Sequence, residues 1–137
     1  MSGDTVVQDM FALLRQAAAP VVTRWTYDVT DPFAVTLAIQ TRGKRWVEWV
    51  MARDLVVAGL SGPTGIGDVT LRPETTQEYD IVVVEIRSPD GQALLEVDRD
   101  LLANFVDSTL EAVPLGSETS GIDMDAEIQK ITKSRAE

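Results

Sequence analysis

Four groups of residues have types and spacings that could do chemistry. The first is a basic cluster, Arg42, Lys44 and Arg45, followed at once by Trp46. A cation beside an aromatic ring can hold single-stranded nucleic acid. The same pairing anchors protein interfaces, where Trp and Arg are favoured. The plain alternative is a solvated turn. Glu48 and Glu85 form the second group, each set among apolar strand residues where desolvation raises proton affinity. No companion motif makes them an acid and a base, and carboxylates on the polar face of a half-buried sheet are ordinary. The third is Gly62-Pro63-Thr64-Gly65-Ile66-Gly67. It lacks the Lys-Ser/Thr of a phosphate loop. It also precedes a strand, whereas a phosphate cradle must lead into a helix N-terminus. A turn with several glycines is the simpler reading. The fourth, Asp123, Asp125 and Glu127, resembles part of a calcium loop. That loop needs glycine sixth and glutamate twelfth; Ile128 and Ser134 stand there instead. Helix capping accounts for these acids better.

The composition excludes more than it suggests. The chain of 137 residues has no cysteine and no histidine. Disulfides, thiol nucleophiles, zinc sites built on His or Cys, and Ser-His-Asp triads are therefore absent. No catalytic residue, metal ligand or cofactor motif is expected. Net charge is −10, carried as −5 by residues 1–97 and −5 by residues 98–137. Such a balance opposes binding to phosphate backbones and anionic lipid. That favours a protein partner for Arg42, Lys44, Arg45 and Trp46 over nucleic acid. No apolar run approaches the ~20 residues of a membrane span, and the start lacks the pattern of a signal peptide. A cytoplasmic protein without membrane insertion is expected.

The elements that must position these residues follow from periodicity. Val47–Leu60 starts as a strand and ends as a helix, with Ala52, Leu55, Val56 and Leu60 at helical spacing. We expect it to be the joint between two sheets, with Gly59 ending the helix in a left-handed turn. Val6–Arg15 fits helix or strand by period, and only the family resemblance given below favours strand. Val21–Tyr27 is rich in β-branched and aromatic residues. Phe33, Val35, Leu37 and Ile39 give the cleanest two-residue period. Thr41-Arg42-Gly43-Lys44 is a hairpin turn with Gly43 supplying positive φ. Val69 and Leu71 mark a short strand stopped by Pro73. Ile81–Ile86 and Ala93–Val97 form a hairpin about Ser88-Pro89-Asp90-Gly91. Leu101, Leu102, Phe105, Val106 and Leu110 share a helix face, capped by Asp98 or Asp100. After Pro114 and Gly116, residues 116–137 read as an acidic linker and a short helix carrying Met124, Ile128 and Ile131. One domain, 1–137, results. Within the strand before that helix, Trp46 and Trp49 are three apart and point to opposite faces. Trp49, with Val47 and Met51, is the core candidate. Trp46 shares the face of Glu48 and is the surface candidate.

The order of motifs points to a family. Tyr27-Asp28, Asp31-Pro32-Phe33-Ala34-Val35, Val47-Glu48-Trp49-Val50, Ala52-Arg53-Asp54-Leu55 and Gly59-Leu60 come first. Gly62–Val69, Ser88-Pro89-Asp90-Gly91, Ala93-Leu94-Leu95-Glu96, Val113-Pro114, Gly116, Glu118 and Asp123–Ile128 follow. From about Tyr27 to Ile131 the chain resembles the SsgA-like proteins of actinobacteria, nearest the SsgB branch. The resemblance implies an α+β fold of two antiparallel sheets with helices, similar to the whirly nucleic-acid-binding proteins, in a ββββ-α-ββββ-α type arrangement. It implies a non-enzymatic regulator of septation in sporulation. Such a regulator recruits the tubulin-like FtsZ at the division septum with an SsgA-type paralogue, as a homo-oligomer for which a trimer is favoured. The whirly likeness also leaves a single-stranded nucleic-acid module as the alternative. No residue of the FtsZ contact carries over by matching, so Arg42, Lys44, Arg45 and Trp46 rest on the strand argument alone.

Overall fold

The computed structural model describes residues 5–65, 67–89 and 91–119. Seven strands and two helices follow in the order β1 (Thr5–Leu14), β2 (Ala19–Asp28), β3 (Ala34–Gln40), β4 (Trp46–Ala52), α1 (Arg53–Gly59), β5 (Val69–Thr75), β6 (Asp80–Ser88), β7 (Gly91–Asp98) and α2 (Arg99–Ala112). The class is α+β, as expected. The strands do not form two sheets. They form one seven-stranded sheet in the order β4-β3-β2-β1-β7-β6-β5, with every hydrogen-bonded pair antiparallel. The second set holds three strands among the described residues, so the arrangement is ββββ-α-βββ-α.

Each set is a meander of hairpins, and the two meet at a narrow seam. β1 pairs with β2 along Thr5–Leu14 but with β7 only along Ala12–Leu14, opposite Leu95–Val97. The hydrogen-bonded joint is therefore β1–β7 and not the Val47–Leu60 unit. That unit is a strand running into a helix, as the change of period predicts, and α1 packs on β5. The sheet curls. Trp49 of β4 lines a cleft with Ile86 and Ala93, which lie on the far half. Inside the curl, Trp25, Leu37, Val84 and Leu95 pack with Leu102 and Phe105 of α2, all 1% exposed or less. Trp25 and Phe105 meet in a tilted contact, with ring centroids 6.1 Å apart and planes at 52°. Burying such aromatic and aliphatic side chains, at roughly 1.5–3 kcal/mol each, is what holds the two meanders together.

Local rules explain the ends and turns. The Asp98 carboxylate accepts the Leu101 N–H at 3.0 Å and caps α2, as anticipated. In the β3–β4 hairpin the positive φ belongs to Lys44, at 59°, and not to Gly43. Gly59 is not left-handed either; α1 ends at Leu60 with φ −71°. Gly59 is needed for space, since a Cβ there would lie 2.6 Å from the Leu71 Cβ. Pro73 does not stop β5 but sits within it, opposite Val82. β5 is a flank strand, so a missing N–H is tolerated. The expected tail helix with Met124, Ile128 and Ile131, and the acids Asp123, Asp125 and Glu127, lie outside the described residues.

Candidate protein-interaction site

The β3–β4 hairpin carries the basic cluster. Its turn closes through Thr41 N–H to Arg45 O, 2.8 Å, and Lys44 N–H to Thr41 O, 2.9 Å. Arg42, Lys44 and Arg45 are all exposed. Among the described residues none of them forms a salt bridge. Three cations thus project at one sheet corner with no ion-pair partner among the described residues.

Trp46 starts β4, and register decides where it points. Ile39 pairs with Val47, Leu37 with Trp49 and Val35 with Met51. Directly opposed residues share a face, so Trp49 and Met51 turn inward with Leu37 and Val35; Val47 has the same parity but lies near the start of the strand and is 40% exposed, so it is not the core residue expected. Trp49 packs on the core and Met51 is 5% exposed, whereas Trp46 is 37% exposed on the outer face. The parity reading of the two tryptophans therefore agrees with the packing. The Trp46 ring is not bare. The Arg24 guanidinium of β2 lies 4.7 Å from its centroid, and Arg24 is held in turn by both Asp9 oxygens at 2.7 and 3.0 Å. The hydrogen bond from Arg24 keeps the Asp9 carboxyl below the usual range. This exposed row from Asp9 through Arg24 to Trp46 braces the ring with little energy. One ring face is thereby occupied, which leaves less room for a stacked base.

The structure does not bring Glu48 and Glu85 together. Glu48 is exposed on β4 opposite Ala38. Glu85 is on β6, 8% exposed, and meets Arg87 at 2.6 Å and Arg72 at 3.6 Å. Four strands separate them, and both take outward positions, so the curl holds them apart. Glu85 belongs to a lattice of ion pairs on the outer face, in which Arg15 also bridges Glu74 at 2.8 Å and Glu96 at 2.6 Å. These charged side chains lie over the fully buried Val83. The glycine loop is a turn tied to β5 by reciprocal bonds between Thr64 and Leu71. Gly65 has φ +111°, and a Cβ there would lie 2.6 Å from Val69 O. Among the described residues there is no acidic or other cluster able to hold a metal ion, and no helix long and apolar enough to cross a membrane.

Arg53 is the residue that sequence reasoning missed. It reads as a polar position at a helix start, yet it is 1% exposed. Its guanidinium donates to Thr109 O at 3.1 Å, Val113 O at 2.6 Å and Glu118 Oε2 at 2.8 Å, and lies 5.0 Å from the Tyr27 ring centroid. Arg53 thus bonds Thr109 O in the last turn of α2 and Val113 O of the residue that caps it, the role a cation serves at a helix C-terminus. Glu118 also accepts the Gly116 N–H at 2.9 Å. Its carboxyl is held below the usual range, chiefly by Arg53. The signal was present in the sequence only as an Arg and a Glu 65 positions apart within the shared motifs.

Comparison with known proteins places this geometry. A family model described as Streptomyces sporulation and cell division protein, SsgA, matches residues 21–118. The chain is 39% identical to the sporulation-specific cell division protein SsgB of Saccharopolyspora erythraea, over 93% of this chain and 89% of that protein. It is 40% identical to SsgB of Streptomyces coelicolor over 85% of each. It also superimposes on the crystal structure of an SsgA-like sporulation-specific cell division protein from Thermobifida fusca YX-ER1. There the TM-score is 0.82 and the identity 34%, over 95% of this chain and 97% of that one. Arg53, Glu118 and the β3–β4 hairpin all fall inside the matched region, and the chain belongs to the SsgA-like family of sporulation and cell division proteins, close to SsgB.

Proposed function

We propose that this protein is a non-enzymatic regulator of cell division that recruits FtsZ to septation sites during sporulation-type division. The observation that carries the reading is family membership over most of the chain, with relatives named as sporulation-specific cell division proteins. The architecture fits a recruiting role. Arg42, Lys44 and Arg45 project at one corner without an ion-pair partner among the described residues and Trp46 is exposed beside them, while the two candidate carboxylates, exposed Glu48 and buried Glu85, stand apart. A positive corner on a chain of net charge −10 offers a local contact for an acidic partner surface. Recruitment works through placement. A homo-oligomer, with a trimer favoured, presents several copies of a weak site, and multivalency raises the local density of filament. An SsgA-type paralogue acts with it, in the cytoplasm at the septum, without a cofactor. The reading as a single-stranded nucleic-acid module on a whirly-like fold is disfavoured by the net charge and by Arg24 covering one face of Trp46.

The test is made in a sporulating actinobacterium lacking its own SsgB. A fluorescent fusion of the full chain should form septal ladders coincident with FtsZ. The R42A/K44A/R45A variant should accumulate to the same level and fail to place FtsZ. Septal ladders of FtsZ that form equally well with the triple variant would remove the hairpin from the mechanism. A wild-type fusion that never meets FtsZ would remove recruitment itself.

A further inference from the structure

The narrow seam leaves part of an interior strand unpaired. β7 ends at Asp98 and the chain turns away into α2, so β1 has a neighbour on that side only along Ala12–Leu14. Arg15 N–H donates to Leu94 O, which shows that odd-numbered residues of β1 turn their N–H and C=O toward the β7 side. Thr5, Val7 and Asp9 continue that parity where β7 has already left. All three residues are exposed. α2 does not fill the place; it packs on the inner side, where Gln8 Nε2 donates to Leu101 O at 3.2 Å. Among the described residues, the result is a backbone edge without a pairing strand in the middle of the sheet.

An apolar cleft of about 240 Å³ lies at the end of this edge, lined by Phe11, Leu13, Pro20, Tyr79 and Ile81. Phe11 is 70% exposed and Tyr79 53%. Asp98 and Glu96 also line it. The nearby cations are committed: Arg15 to Glu74 and Glu96, Arg24 to Asp9, Arg99 to Leu60 O at 2.9 Å. Asp98 and its neighbour Asp100 form no salt bridge among the described residues. The cleft is thus apolar, beside a strand edge with no pairing strand among the described residues, and of its two acids Glu96 is paired with Arg15 while Asp98, which caps α2, has no cationic partner among the described residues.

We propose that the open edge of β1 at Thr5–Asp9, with the Phe11–Tyr79 cleft, docks an extended segment of another protein in which basic residues alternate with apolar ones. Main-chain bonds to Val7 and Asp9 supply the pairing, alternate side chains enter the cleft, and a Lys or Arg meets Asp98. The site is distinct from the Arg42–Trp46 hairpin, to which it is joined through the Asp9–Arg24 pair that braces Trp46, and it does not depend on which protein is the division partner.

The probe is a fluorescent ten-residue peptide of alternating Val and Lys, read by anisotropy against the full chain. Its controls are a Val–Glu peptide and a Val–Lys peptide N-methylated on alternate residues. The Val–Lys peptide should bind, and each control should bind at least tenfold more weakly. Val7→Pro removes a donor that makes no bond to β2, and should weaken binding about tenfold while Val7→Ala does not. Phe11→Ala should weaken it severalfold. Asp98→Asn keeps the helix cap and should weaken it about threefold. Equal binding of the Val–Glu or N-methylated peptide to wild type would overturn the proposal, whether or not Val7→Pro folds. So would failure of Val–Lys to bind, including the case where wild type oligomerises through this edge and Val7→Pro is a monomer.

Discussion

Arg53 offers the sharpest test of how this fold is held. Its guanidinium ties α1, Tyr27 of β2, the end of α2 and Glu118 into one knot. Consider Arg53→Met, which keeps the volume and loses the charge. Val113 O loses its 2.6 Å donor, while Thr109 O still accepts the Val113 N–H at 2.9 Å. Breaking a fully buried pair by removing one partner costs about 3–5 kcal/mol; here the charge left behind, Glu118, is only half-buried, which sets the low end of that range. Two further features act in the same direction. Thr109 O keeps one bond, and the Arg53 Nε is itself buried with no partner among the described residues, a penalty that Met removes. We therefore expect about 3 kcal/mol for Met. Arg53→Ala adds a cavity and should cost more, about 4–5 kcal/mol. For a chain of this length, 1 kcal/mol shifts Tm by roughly 3–4 °C, so Arg53→Met should melt roughly 10 °C lower. Urea unfolding gives the free energy, with intrinsic fluorescence, to which Trp25, Trp46 and Trp49 contribute, as reporter and circular dichroism as a second probe. A loss below about 1 kcal/mol for Met would refute the assignment of Arg53 as the tie between the helices.

Other outcomes follow from single contacts. Gly59→Ala should cost about 1–3 kcal/mol in the same assay, because the added Cβ meets the Leu71 Cβ and α1 must move off β5; an unchanged midpoint would show that the helix shifts freely. Trp46→Ala should leave the monomer's unfolding free energy within about 1 kcal/mol of wild type while weakening partner binding or self-association, and a variant that unfolds would make Trp46 core. Acid should loosen the fold through groups whose proton affinity is depressed in the folded state. Glu118 and Glu74 are held below their ordinary 4.5 by Arg53 and Arg15. Their contribution is complete above that value and is lost as pH falls through their lower folded values. Stability measured from pH 6 to pH 3 should thus decline below about 4.5, and less steeply in Arg53→Met, where the wild-type slope would argue against the Glu118 link.

Much of the fold is visible from period and turn chemistry. Phe33–Ile39 alternates, Val47–Leu60 changes period, and Asp98 caps α2, because each depends on neighbours in sequence. The parity of Trp46 and Trp49 is of the same kind. The single sheet is not, since the β1–β7 seam pairs Leu13 with Glu96, and no local pattern specifies that register. Position 59 calls for glycine through contact with Leu71, so a left-handed cap was the wrong reason for the right residue type. Of the site, the exposed corner Arg42, Lys44 and Arg45 was legible as a charge cluster on a turn. The Arg24–Asp9 brace and the Arg53 knot were not, because both join residues remote in the chain.

On the proposed function, this protein acts by holding the division filament. Co-sedimentation of the full chain with polymerised FtsZ from the same organism tests it most directly, alongside a labelled 20-nucleotide single strand at low salt. We predict that the protein pellets with FtsZ in a saturable, polymer-dependent manner, weakened by R42A/K44A/R45A, while the oligonucleotide stays free. Protein left in the supernatant beside abundant filament, with the oligonucleotide bound, would contradict it.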